Sequence, residues 1–334
     1  MESALLPQFK LGTYTENDSG GWGAVEELDE ASELAIPHDR CDIPQYDGLP
    51  PPEILGAILE HNQPVAFRNA IPSWTMRDVW QFEPFRRKYG DHKITISDIP
   101  YQERFDSSRP NVAIKTTVQD YLDTWGGEVE QVETTEAPKY LFSATFAHTY
   151  EETMDDIVDL TELLNKFYYP TSQMGKQFYF GPPLSGAPMH YHNTAINALA
   201  FGRKRWFMQN PNETFYSIKA PKQLWKDDIN NLAVNATLLQ CVQNAGDLFF
   251  VGTGWGHATL NEQASIGFAM EWMDERLTAA ISIPPFVEID YEQDQYTHDH
   301  VGPFGDMETL MRRNQGGGPL PPEQAGTTPV WQSC

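Results

Sequence analysis

Hydrophobic and polar positions along this chain follow two rhythms, and the change from one to the other falls near residue 177. Upstream, Glu53-Ile54-Leu55-Gly56-Ala57-Ile58-Leu59 follows Pro50, Pro51 and Pro52 and spaces its apolar residues as a helix does. Proline costs little at a helix start, because the first N–H groups lack intrahelical acceptors in any case. Pro64 to Arg68 reads as a buried strand, and Asp78 to Tyr89 as a helix stopped by Gly90. Lys93 to Ser97 alternates like a strand, Thr117 opens a short helix through Trp125, Tyr140 to Phe146 is extended, and Asp155 to Phe167 is an amphipathic helix. From Gln177 onward the apolar runs shorten, at 177–181, 188–200, 204–208, 239–243, 247–251, 257–260 and 265–272, separated by Gly, Pro and Asn. Runs of this kind predict a sandwich or barrel preceded by a mixed α/β region. A further helix is predicted over 305–313, and no internal repeat is evident.

The ends read differently from the middle. Residues 1–40 are acidic, with Gly20-Gly21 and the run Glu26 to Glu30, and predict a loosely ordered arm. The folded domain is expected over 41–285, with its core at 176–275; residues 286–334, with Gly316 to Gly318 and Pro319, Pro321 and Pro322, form an extension and flexible tail. A content of 40% hydrophobic and 12% aromatic residues fills a sizeable core.

Charge narrows the partners. Lys and Arg number 23 against 47 Asp and Glu, for a formal charge of -24. Such a chain repels phosphate backbones and anionic lipid, so neither nucleic acid nor a membrane surface is expected as partner, whereas a basic protein or peptide fits. Solubility alone is the plainer account of the same charge. No apolar run reaches the length of a membrane span, and the first residues lack a basic stretch followed by an apolar one. Cys41, Cys241 and Cys334 are odd in number and far apart, which argues against a disulfide framework and for free thiols in a reducing compartment. The expectation is a cytoplasmic or nuclear protein, or one of the endoplasmic-reticulum lumen if an N-terminal signal has been removed. The sequons at Asn17, Asn212 and Asn235 matter only in the second case.

Three of the nine histidines fall in two apolar β segments. In Met189-His190-Tyr191-His192-Asn193 two imidazoles stand two residues apart, which on a strand puts both on one face. His257 follows the apolar stretch Leu248 to Val251, within Gly254-Trp255-Gly256-His257. Two ligands from one strand and a third from a distant one make an inward-facing three-point metal site, and imidazole suits Fe, Zn, Cu and Ni. An isolated His-x-His is otherwise weak evidence.

The stretch Phe180-Gly-Pro-Pro-Leu-Ser-Gly-Ala-Pro-Met-His190-Tyr-His192, then Asn197-Ala-Leu-Ala-Phe-Gly202-Arg-Lys204-Arg-Trp206, resembles the jumonji-C (JmjC) oxygenases, and so does Ala245-Gly246-Asp247 through Trp255-Gly-His257-Ala-Thr-Leu-Asn261. The resemblance covers about residues 41–275 and looks nearest to the small hydroxylase-like branch and the endoplasmic-reticulum jumonji proteins. It implies a mainly β fold with flanking helices, a double-stranded β-helix (cupin or jelly-roll) barrel, with Fe(II) as metal and 2-oxoglutarate as cosubstrate. By the same resemblance His190 and His257 match the first and last iron ligands, and Lys204 matches the residue that pairs with the far carboxylate of 2-oxoglutarate. A buried ammonium and a buried carboxylate make sense only together. Lys204 could instead lie on the surface with Arg203 and Arg205, but its parity with Gly202 and Trp206 favours the interior. Asn197 and Tyr140 match polar cosubstrate contacts; a turn-side amide and a core tyrosine are the plainer alternatives.

The sequence departs from that family in three places. His192 stands where an Asp or Glu is expected, and Ala187 and Ala269 stand where the hydroxylase branch has threonines. A third neutral imidazole leaves the metal without an anionic protein ligand and weakens the inference to 2-oxoglutarate more than the inference to a metal, which could also be zinc. Two readings follow: an oxygenase that hydroxylates a protein side chain, and a jumonji-fold scaffold that binds metal without turnover. Glu271, two residues beyond Ala269 on the last predicted strand, faces the same interior side. It is expected either to support the metal or to form a salt bridge to Arg203, Arg205 or Lys204.

Overall fold

A computed structural model describes residues 19–22, 40–71, 73–97, 113–124, 138–143, 155–159, 163, 175–214, 217 and 238–272. The acidic arm, apart from residues 19–22 and 40, lies outside this set, as do the whole C-terminal extension and the predicted helix at 305–313. Of the predicted helix at 155–167, residues 155–159 and 163 are described.

The first strands and helices alternate. They run β1 (Gln45–Asp47), α1 (Pro52–Glu60), β2 (Val65–Arg68), α2 (Thr75–Val79), α3 (Phe82–Tyr89), β3 (Lys93–Ile96), β4 (Ile114–Thr117), α4 (Val118–Asp123) and β5 (Leu141–Ser143). Then come strands alone: β6 (Gly175–Gly181), β7 (Gly186–His190), β8 (Thr194–Phe201), β9 (Arg203–Gln209), β10 (Leu239–Asn244), β11 (Leu248–Val251), β12 (Gly256–Asn261) and β13 (Ser265–Trp272). The seven-stranded sheet has the order β1-β2-β11-β8-β13-β6-β5, the four-stranded sheet β10-β9-β12-β7, and β3 pairs β4. Among these strands every pairing is antiparallel except β1 with β2. No helix among the described residues is long and apolar enough to cross a membrane.

Strand parity divides the seven-stranded sheet into two faces. Phe178 and Phe180 of β6, Ile196 and Ala198 of β8, Leu248 and Phe250 of β11, and Phe268 and Met270 of β13 join one cluster with Leu55, Met76, Trp80, Phe85, Tyr89 and Leu122 from the helices. The odd positions look the other way. Phe249 and Val251 of β11 meet Trp206 and Met208 of β9 and Cys241 of β10, so the two sheets face each other across a second apolar layer. Helices drawn from residues 52–123 therefore cover the outside of the large sheet, and the site develops between the sheets.

Four local differences from the sequence expectation have physical causes. The helix expected over 78–89 is two: Gln81, with ψ of 149°, adopts an extended backbone and starts α3 afresh. The apolar run 188–200 is likewise two strands, separated at residues 191–193. Strands β1 and β4 escape the sequence pattern, because β1 is exposed throughout and β4 is exposed or half-buried, and strands without a buried face carry no alternation. The largest correction concerns the cysteines. Cys41 and Cys241 form a disulfide that spans a sequence separation of 200, in place of the free thiols expected. Segment 40–43 pairs with β10: Asp42 N–H donates to the Gln240 carbonyl and Val242 N–H to that of Arg40, which sets the two cysteines opposite each other. A count of cysteines cannot foresee such a long-range pairing.

Candidate metal centre

His190 ends β7, and His257, near the start of β12, lies directly opposite it in the antiparallel register. Their ring centroids lie 4.2 Å apart. His192 lies beyond the end of β7, so it reaches the others from the connection to β8 and not by sharing a strand face, as the spacing predicted. Its ring centroid is 4.6 Å from that of His257 and 5.3 Å from that of His190. One ligand nitrogen from each of the three lies within 4.8 Å of the others, and all three residues are buried.

Each ring has one nitrogen committed to a backbone carbonyl. Nδ1 of His190 lies 2.7 Å from the Pro188 carbonyl, Nδ1 of His192 2.6 Å from that of Asn193, and Nδ1 of His257 3.0 Å from that of Trp255. A carbonyl only accepts, so Nδ1 carries a proton and Nε2 is the nitrogen left to face a metal. Burial, together with the neighbouring His190 and His192, pushes His257 well below the usual imidazole range, which keeps it neutral and able to ligate. Three oriented imidazoles in a buried group fit a divalent metal.

The turn that carries His257 is clamped from the end of α1. Asn62, with a positive φ of 54°, accepts the Thr253 N–H on Oδ1 at 2.7 Å, donates Nδ2 to the Thr253 carbonyl at 3.0 Å, and accepts Trp255 Nε1 on its own carbonyl at 2.7 Å. Gly254 N–H donates to the His192 carbonyl at 2.9 Å, which ties this turn to the second histidine.

Lys204 points inward from β9 and is 1% exposed. Gly202 makes the turn that delivers it: a φ of 96° carries β8 into β9, and a Cβ there would collide with the Ala264 carbonyl oxygen. The Lys204 Nζ donates to the Tyr140 hydroxyl at 3.1 Å and stands 3.5 Å from the centroid of the Tyr179 ring. Among the described residues no carboxylate pairs with it, and burial drives it well below the usual lysine range. Tyr179 in turn donates to Asn197 Oδ1 at 2.6 Å. The structure thus brings Lys204, Tyr140 and Asn197 into one polar group through Tyr179, a residue that sequence reasoning passes over. The available signal is the strand period: Gln177 and Tyr179 alternate on β6 with the core-facing Phe178 and Phe180, which puts them on its other face.

Glu271 lies on β13, opposite Ala195 of β8, and is 1% exposed. Its Oε1 is 3.9 Å from His192 Nδ1, and Gln177 Nε2 donates to its Oε2 at 3.4 Å. Arg203 and Arg205 meet a different carboxylate, that of Glu262, at 2.7 and 2.5 Å. Ala187 and Ala269 are both buried, and Ala187 N–H donates to Thr259 Oγ1 at 3.2 Å. Thr259 therefore brings a hydroxyl from β12 to the Ala187 position, where the family pattern has a threonine.

No family model matches the chain. Among curated proteins it is similar to JmjC domain-containing protein 8 of Mus musculus, 34% identical over 84 residues, which is 25% of this chain and 31% of that protein. It is also similar to arginine-specific demethylase JMJ20 of Arabidopsis thaliana, 22% identical over 251 residues, covering 65% of this chain and 53% of the relative. With 2-oxoglutarate and iron-dependent oxygenase JMJD4 of Homo sapiens it shares 22% identity over 257 residues, covering 66% of this chain and 58% of the relative. The chain spans about a third of the first of these relatives and little more than half of the other two. The chain is thus similar, over stretches of up to two thirds of its length, to several separately named jumonji proteins.

Proposed function

We propose that this protein is an Fe(II)- and 2-oxoglutarate-dependent oxygenase that modifies a side chain of a protein substrate, with the two facing sheets as the walls of a double-stranded β-helix. The observation that carries the reading is Lys204, a buried lysine with no carboxylate partner among the described residues, in the same inter-sheet space as three convergent histidines. Burial disfavours the charged form of this lysine until an anion arrives to pair with it. A dicarboxylate whose far end meets Lys204 and the Tyr140 hydroxyl fits that need, and its near end would then face the histidines.

His190, His192 and His257 would hold the metal, which when bound supplies the redox chemistry of oxygen activation. The residues of this chain fix the imidazole tautomers, exclude water, and hold the cosubstrate carboxylate at Lys204. The relative named as an arginine-specific demethylase supports a protein substrate. The formal charge of -24 favours a basic segment of it.

Anaerobic titration of the full chain with Fe(II) and then 2-oxoglutarate tests this reading. The expected result is a weak visible charge-transfer band that appears only with both present. Tight zinc binding with no such band favours the second reading, a metal-binding scaffold without turnover, which His192 at the acidic position and Ala269 support. The Cys41–Cys241 disulfide favours an oxidising compartment, the endoplasmic-reticulum lumen, over the cytoplasm or nucleus. Non-reducing mass mapping of the protein from its native cells checks that placement.

A further inference from the structure

Resting on the metal site proposed above, we infer that Glu271 is a positioning residue that returns to the site, from β13, the negative charge absent at position 192. A divalent ion held by three neutral imidazoles in a buried space carries its full charge into a low dielectric, which is costly without an anion nearby. Among the described residues Glu271 is the carboxylate beside these rings: it is 1% exposed, and its Oε1 is 3.9 Å from His192 Nδ1. The approach is to Nδ1, the nitrogen turned toward the Asn193 carbonyl, and not to the nitrogen left for the metal. The three-histidine group within 4.8 Å does not include it. Glu271 therefore acts behind His192 and not as a fourth ligand.

Strand geometry gives this placement a reason. In the β13 register Glu271 faces Ala195 of β8 and Gly175 of β6, two residues too small to compete for the space beside it. Gln177, on the inward face of β6, donates to the other carboxylate oxygen at 3.4 Å and turns Oε1 toward the ring. A carboxylate on the N–H side of a ligating imidazole raises its basicity and fixes its orientation.

Calorimetric titration of the full metal-free chain with Zn(II) tests the inference, using Glu271→Gln in the native background and in a His192→Asp background. The expected result is a loss of about 10–100-fold in Zn(II) affinity for Glu271→Gln alone. With Asp at position 192 the same change should cost little, because the site then has its own anion. Glu271→Asp, which keeps the charge, should retain most of the affinity and serves if the Gln variant fails to fold. Unchanged affinity in Glu271→Gln, or an equal loss in both backgrounds, overturns the inference and leaves the metal site standing. Absence of Zn(II) and Fe(II) binding by the unaltered chain overturns the site itself, and the inference with it.

Discussion

Replacing Lys204 by methionine separates the cost of a buried amine from its use. Lys204 is 1% exposed, and burial drives its pKa well down. Keeping a lysine neutral at pH 7, against its ordinary value, costs at most about 4–5 kcal/mol. The Tyr140 hydroxyl and the Tyr179 ring offset part of that. Lys204→Met should therefore be more stable than the native chain without ligand, by about 1–3 kcal/mol at pH 7. The sign with pH follows from the lowered value. Between the folded pKa and about 10.4 the unfolded chain binds more protons than the native one, so native stability rises with pH by up to about 1.4 kcal/mol per unit. The advantage of the methionine variant should shrink accordingly as pH rises toward about 10. Adding 2-oxoglutarate with metal reverses the order. At a hundred times Kd it should stabilise the native protein by about 2.7 kcal/mol and leave the variant unmoved. Denaturant unfolding of both proteins near neutral pH and again near the ordinary lysine pKa, with and without 2-oxoglutarate, measures each of these effects. A variant less stable than the native chain at neutral pH, or an equal response of both to 2-oxoglutarate, would refute the reasoning.

Other perturbations have equally definite outcomes. Cys41→Ser opens a loop closed across a sequence separation of 200 and should cost about 2–5 kcal/mol, seen as a fall in Tm of about 5–15 °C that reductant reproduces in the native protein; no change with reductant would discard the disulfide's role. Glu262→Gln takes a carboxylate from the buried side chain of Arg205 and from Arg203, and should cost about 3–5 kcal/mol by denaturant unfolding. His257→Ala should abolish Zn(II) binding in calorimetry, while a fold that survives the change keeps its far-ultraviolet dichroism. Asn62→Ala loosens the turn that carries His257 and should weaken Zn(II) binding by about 10-fold through orientation alone.

The legible parts of this protein are those where one physical rule dominates. Strands β6, β9, β11 and β13 stand out in the sequence as short apolar runs. The faces of β6, β11 and β13 meet either the helix-side core or the space between the sheets, and burial on both faces leaves them few polar positions. Parity within such a run places Lys204 inside, through its alignment with Trp206. The rule fails where side chains meet without a common strand. His192 joins the other histidines from the connection beyond β7, so the two-residue spacing foretells the right company by the wrong geometry. Cys41 and Cys241 meet because segment 40–43 adds to the edge of β10, a pairing fixed by backbone hydrogen bonds that side-chain pattern does not record. Tyr179 escapes notice because an aromatic residue inside an apolar strand reads as core. Its hydroxyl becomes informative only once Asn197 and Lys204 are seen to share its surroundings. The hydrophobic effect accounts for the burial of Trp206, Phe249 and Val251 between the two sheets, but not for that of a lysine and three histidines in the same layer. Those are the residues whose burial a ligand has to explain.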